Sequence, residues 1–189
     1  MKKIPLMEQL PPFPRDLLEE ADRLFNVTLA NDAILGEKLS LLYAFIDKVN
    51  ENVVSRLSNC KKGCSHCCHM DVQITTLEAS YIAFHVNIPF LDDRPFSTGN
   101  KSACTFLSSS GTCLIYPHRP LFCRTYHSMS PPELCGIPGA EIAQYGTVLG
   151  GMGNPVFRAA VNWIYYQNRH CDGTVRDIRD FFCDSRRAR

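Results

Sequence analysis

The sequence predicts a mainly α-helical fold, with helices separated by long irregular loops. Two observations set this class. Apolar residues recur at steps of three and four on both flanks of the chain, and proline, glycine and serine break up the middle. A hydrophobic fraction of 45% against 21% charged residues leaves enough apolar material for a core, so a folded chain is expected. A length of 189 residues fits one domain with short extensions. The expected boundaries are an extended lead-in over 1–14, a domain over 15–184 and a basic tail over 185–189.

The elements follow in chain order. Residues 1–14 are rich in proline and read as extended. From Arg15 to about Ser58 the pattern is helical, with Leu42, Phe45, Ile46, Val49, Val53 and Leu57 on one face. Asn26, Asn31, Asp32 and Gly36 predict a break between two helices, the second leading straight into Cys60. Asp71 to Ile74 alternates, which suits a short extended piece. Thr75 and Glu78 have capping-box spacing, so the hydroxyl and the carboxylate can each satisfy a backbone N–H of the other's residue. A helix then runs to about Asn87 with Leu77, Tyr81, Ile82 and Phe84 as its apolar side, and Pro89 and Pro95 end it.

Residues 92–112 read as loop. So does 128–154, a length that needs something to tie it down, and a metal could do so. Its glycine-rich end, Gly146 to Gly153, is not a dinucleotide fingerprint. Asn154-Pro155 has the form of an N-cap followed by proline at the first helical position. The helix it opens reaches His170 along Val156, Ala160, Trp163, Ile164 and Gln167. Gly173-Thr174 is expected to start a last short helix that buries Ile178, Phe181 and Phe182.

A net charge of +1 argues against a general nucleic-acid binder. The chain starts basic, but Glu8 and several prolines interrupt what would be the apolar core of a secretory leader. No segment approaches the ~20 apolar residues of a membrane span. The expected compartment is therefore the cytoplasm. That setting is reducing, so the ten cysteines read as metal ligands or reactive thiols rather than disulfides.

Four of those cysteines, Cys60, Cys64, Cys67 and Cys68, fall within nine residues. Thiols this dense suit a borderline-soft cation such as zinc or iron. In Cys64-Ser65-His66-Cys67 the two-residue spacing can wrap a tight turn around one metal, and Gly63 frees the backbone to enter it. Cys68 adjoins Cys67, and neighbouring side chains tend to diverge, so the pair could serve different metals. His66 and His69 could stand in for a sulfur, with a solvated role as the plainer reading. Cys171 and Cys183, isolated near helix ends, read as small buried apolar side chains.

A second block runs from Cys104 through Phe106-Leu107, Gly111, Cys113, Ile115-Tyr116-Pro117, Arg119-Pro120 and Cys123-Arg124 to Tyr126. Together the two blocks resemble the YkgJ-type cysteine-cluster family, a zinc- or iron-chelating domain named for the motif CxxCxxCC. The resemblance covers about residues 60–126. One departure stands out: the name implies two residues between the first two cysteines, whereas this chain has Lys61, Lys62 and Gly63. By resemblance the ligand set is Cys60, Cys64, Cys67, Cys68, Cys104, Cys113 and Cys123, with Cys135 as an eighth candidate. Clustered thiolates around one cation leave net negative charge, which Arg119 or Arg124 could offset; a salt bridge to an acid on a neighbouring helix is the rival role.

The expected cofactor is thus zinc or iron, including a [4Fe–4S] cluster, and the expected partner a metal ion, without nucleic acid or membrane. Three functions fit. The first is a metal-binding protein whose metal supports the fold. The second is an iron–sulfur enzyme similar to flagellin lysine N-methylase, which has a similar cysteine cluster. The third is a thiol redox or metal-handling protein using the adjacent Cys67 and Cys68.

Overall fold

A computed structural model describes residues 10–61, 63–146 and 154–182. It divides into two compact units, one drawn from 1–60 and 124–161, the other from 61–123 and 162–189. Helices dominate and strands are few and short. Among the described residues no helix is long and apolar enough to cross a membrane.

The first unit opens with α1, Arg15–Arg23, where Leu17 and Ala21, one turn apart, are buried. Asp16 in its first turn and Arg23 in its last complement the helix dipole. A π-helical turn, Leu24–Thr28, follows, and α2 spans Leu35–Asn52. Leu39, Leu42, Ile46 and Val49 form the fully buried stripe of α2. The break between the helices lies at Leu29–Ile34, and Gly36 sits inside the first turn of α2 rather than at the break.

The expected N-cap of the fifth helix is present. In α5, Pro155–His170, the buried Asn154 Oδ1 accepts from the backbone N–H of Val156 at 3.0 Å and of Phe157 at 3.2 Å. Strands β2, His127–Ser128, and β3, Gln144–Tyr145, pair antiparallel and hold the ends of the irregular 128–146 stretch. Gly146 follows at φ 126°, and a Cβ there would lie 2.3 Å from the Thr125 carbonyl oxygen. Over its described part this loop is held by that backbone ladder and by Asn59 Nδ2, which donates to the Met129 carbonyl at 2.6 Å. Residues 147–153 and 1–9, with the tail over 185–189, lie outside the described residues.

In the second unit the predicted extended piece is β1, Gln73–Thr75, and the capping box opens α3, Thr76–Val86, which ends on Asn87 in the left-handed region. Glu78 is 3% exposed. Its Oε2 accepts from the Thr75 N–H at 2.9 Å, and its Oε1 accepts from the Leu121 N–H at 2.8 Å at the start of α4, Leu121–Thr125. One carboxylate therefore caps two helices. Phe84 departs from the expected apolar side and is 82% exposed. Two positions beyond the buried Ile82 is about 200° around the helix, which points it away from the core.

The last segment also differs from expectation. Gly173-Thr174 does not begin a helix; it leads into β4, Val175–Asp177, which pairs antiparallel with β1. Asn168 enforces the turn, its Oδ1 accepting from the Leu77 N–H at 3.1 Å and its Nδ2 donating to the Thr174 carbonyl at 3.2 Å. A Cβ on Gly173 would fall 2.2 Å from that Oδ1. The helix α6, Ile178–Phe181, starts only at the Asp177 cap, and Ile178, Phe181 and Phe182 are buried as expected.

The irregular residues 92–112 are held by charged side chains. Arg176 pairs with Asp92, Asp180 accepts from the Ser97 hydroxyl at 2.6 Å, and Asp71 accepts from the backbone N–H groups of Gly99 at 2.6 Å and Asn100 at 2.7 Å.

Candidate metal centre

Six of the candidate cysteines, Cys64, Cys67, Cys68, Cys104, Cys113 and Cys123, belong to the second unit. Gly63, at φ 94°, turns the chain into the first segment. The Cys64 N–H donates to the Lys61 carbonyl at 3.0 Å, and the Cys68 N–H donates to the Ser65 carbonyl at 2.9 Å. The 3₁₀ turn His66–His69 then puts side chains three apart on one face. His66 and His69 share the exposed outer side, while Cys67 and Cys68 are half-buried.

The second segment meets the first through its backbone: the Cys104 N–H donates to the Cys68 carbonyl at 2.8 Å. From there it folds into a small hairpin. Leu107 and Cys113 bridge across it, the Ser108 N–H donates to the Thr112 carbonyl at 2.9 Å, and Gly111 takes the tip at φ 77°. Cys123 follows on α4.

Two guanidinium groups serve this region. Arg119 lies with its Cζ 3.8 Å from the Tyr116 ring centroid and donates from Nε to the Tyr116 carbonyl at 3.2 Å. Arg179, on α6, reaches both segments. Its Nη2 donates to the carbonyls of Ser102 at 2.7 Å, Cys68 at 3.2 Å and Met70 at 3.4 Å. The fully buried Asp177 holds it, at 2.9 and 3.0 Å from Nη1. Sequence reasoning missed Arg179, because nothing local marks an arginine more than a hundred residues downstream as part of this region.

The thiols have unlike environments. A hydrogen bond with Cys67 lowers the Cys68 pKa to about 7 against the opposing effect of burial, and the fields of Arg119 and Arg179 add to the lowering. Burial pushes Cys104 up to about 11 against the Phe106 N–H that stabilises its thiolate, and neighbouring Cys68 raises it further. Burial also raises Cys113. Cys123 is partly exposed as a residue, yet its thiol is enclosed, and burial raises it well above the ordinary range.

The other candidates lie in the first unit. Cys60 Sγ accepts from the Ser128 N–H at 3.2 Å, and Cys135 is half-buried on the 3₁₀ turn Pro132–Gly136. Arg124 takes the structural role of its two expected ones: its buried guanidinium pairs with Asp47 and lies 4.5 Å from the Tyr43 ring centroid. Cys171, expected to be buried, is exposed, and Cys183 lies outside the described residues.

None of the nine described cysteines is in a disulfide. Among the described residues, no group of three or more His, Cys, Asp or Glu side chains is placed so that it could hold a metal ion. The donor chemistry nevertheless fits a thiophilic cation. Six cysteine thiols occur in one unit, their two segments are joined at Cys68 and Cys104, and the fields of Arg119 and Arg179 favour the Cys68 thiolate. Residues 59–148 match the family model CxxCxxCC, described as "putative zinc- or iron-chelating domain".

This stretch is similar to the CxxCxxCC family.

The CxxCxxCC stretch contains all eight candidate cysteines and Arg119, but neither α1 and α2 nor the β4–α6 segment that carries Arg179. No curated protein and no solved structure matches the chain.

Proposed function

We propose that this protein binds zinc or iron through Cys64, Cys67 and Cys68 of the first segment and Cys104, Cys113 and Cys123 of the second. Cys60 and Cys135 are further candidate ligands. The observation that carries this reading is the junction of the two thiol-bearing segments, the Cys104 N–H on the Cys68 carbonyl at 2.8 Å, within a stretch matched to a chelating family. A bound zinc would crosslink the segments, and an iron or [4Fe–4S] centre would add one-electron chemistry. The chain's own groups divide the work. Cys68 offers a thiolate near neutral pH, the buried thiols release protons as the cation enters, and Arg119 and Arg179 offset the resulting negative charge. The reading carries with it a reducing, cytoplasmic setting.

The test is metal and acid-labile sulfide content, with an absorption spectrum, on protein purified without oxygen. Zinc without sulfide makes this a structural zinc domain; iron with matching sulfide makes it an iron–sulfur protein. Cys64→Ser or Cys67→Ser should each lower the content by about one equivalent or more. Full retention of metal in both variants would sink the proposed site.

A second reading, labile metal handling, is favoured by the adjacent, half-buried Cys67 and Cys68 with Cys68 held at about 7. It predicts metal that exchanges readily with a chelator while the protein stays folded.

A further inference from the structure

Arg179 lies outside the CxxCxxCC stretch, yet its side chain touches the backbone of the first cysteine segment at Cys68 and of the residues leading into the second at Ser102. Its Nη2 reaches the carbonyls of Cys68 and Ser102, and its Nε reaches the Ala103 carbonyl at 3.4 Å. Those two stretches are the ones joined by the Cys104 N–H on the Cys68 carbonyl. The buried Asp177 fixes the guanidinium with two contacts, and also accepts from the Val72 N–H at 2.9 Å, so the fork is anchored in the β1–β4 pair. A planar fork of five donors can serve several carbonyls at once, which a lysine ammonium on a flexible stem cannot match.

We propose that Arg179, held by Asp177, is a positioning residue that sets the approach of the two cysteine segments for metal capture. The inference rests on the metal-binding reading above, and its consequence is that the functional metal domain extends past the family stretch to α6.

The experiment uses full-length R179Q and R179K proteins. Cobalt(II) titration, read by thiolate-to-metal absorption, gives affinity and ligand geometry. Alkylation of the metal-free protein, followed residue by residue, gives the reactivity of Cys104 relative to the exposed Cys171. R179Q is expected to bind cobalt(II) about tenfold more weakly, with an altered absorption band, and to expose Cys104 to about tenfold faster alkylation relative to Cys171. R179K is expected to recover only a minor part of either change. A lowered unfolding midpoint with an unchanged cobalt spectrum and an unchanged Cys104 to Cys171 ratio would make Arg179 a stability residue only and overturn the proposal.

If R179Q does not fold, R179K decides. Wild-type affinity and Cys104 protection with lysine overturn the fork argument, and loss of both supports it. If the wild-type protein takes up no cobalt(II), the metal reading fails by itself. Arg179 is then judged on metal-free Cys104, where faster alkylation in R179Q supports positioning and an unchanged ratio overturns it.

Discussion

The two cysteine segments of the second unit carry the same chemical group in opposite electrostatic settings. The first is a tight surface turn whose Cys68 is lowered from 9.0 to about 7 by its Cys67 neighbour, with Arg119 and Arg179 assisting. The second folds inward, and burial raises Cys104 from 9.0 to about 11. A count of cysteines cannot express this difference, yet it sets the order of events for an arriving cation. The first segment offers charge, while the second yields its protons only once a cation compensates for the lost solvation.

The largest test of this contrast acts on the scaffold behind the second segment. Glu78→Ala leaves the Thr75 and Leu121 N–H groups without their acceptor. We expect a loss of about 3 kcal/mol in denaturant unfolding, since two helix caps are removed from a buried site. A loss below about 1 kcal/mol would mean that solvent replaces the carboxylate and that α4 needs no such cap.

Next in size is thiol reactivity in the metal-free protein. At pH 8 the thiolate fractions set by pKa values of about 7 and about 11 differ by roughly a thousandfold. The weaker intrinsic nucleophilicity of the more acidic thiol returns roughly fiftyfold of that. Cys68 should therefore alkylate about tenfold or more faster than Cys104, a ratio readable by mass spectrometry of tryptic peptides. Equal rates would break the contrast.

A smaller effect should appear in stability against pH. The depressed Cys68 value contributes stability present above 9.0 and lost as pH falls through about 7. The raised Cys104 value contributes stability present below 9.0 and lost as pH rises through about 11. The metal-free urea midpoint should therefore decline on both sides of about pH 9. Cys68→Ser should flatten the acid side, and Cys104→Ser should lessen the alkaline decline, to which the buried Cys113 and Cys123 also contribute. Smallest of all, Phe84→Ala should change stability by no more than about 0.5 kcal/mol, because the ring is 82% exposed. A larger loss would place part of the α3 core on the face now assigned to solvent.

Local chemistry made much of this fold legible. The Thr75–Glu78 box, the Asn154-Pro155 start and the buried stripe of α2 each depend on residues within a few positions of one another, and each stands where its pattern predicts. The misses depend on distance. Strand β4 is three residues long and pairs with β1 about a hundred positions away, so it carries no period long enough to read. The same separation hid Arg179, while Arg124, equally plausible from its place beside Cys123, pairs with Asp47. Phe84 was misjudged because an apolar type was taken for an inward direction. The two cysteine blocks were legible as chemistry from their spacing, but the acidity of each thiol depends on burial and on guanidinium groups brought in by the fold.

The β1–β4 pair has a consequence for synthesis. Both cysteine segments leave the ribosome well before the strand and helix that hold them, since Arg179 follows Cys68 by 111 residues. At translation rates of about 5–20 residues per second, that delay is roughly 5–20 s. During it the thiols of the first segment are reachable by solvent, oxidants and metal carriers, with no guanidinium fork across their carbonyls. A nascent chain in this interval is at its most open to loading, and equally to mispairing of its sulfurs. Arrival of β4 and α6 ends that window.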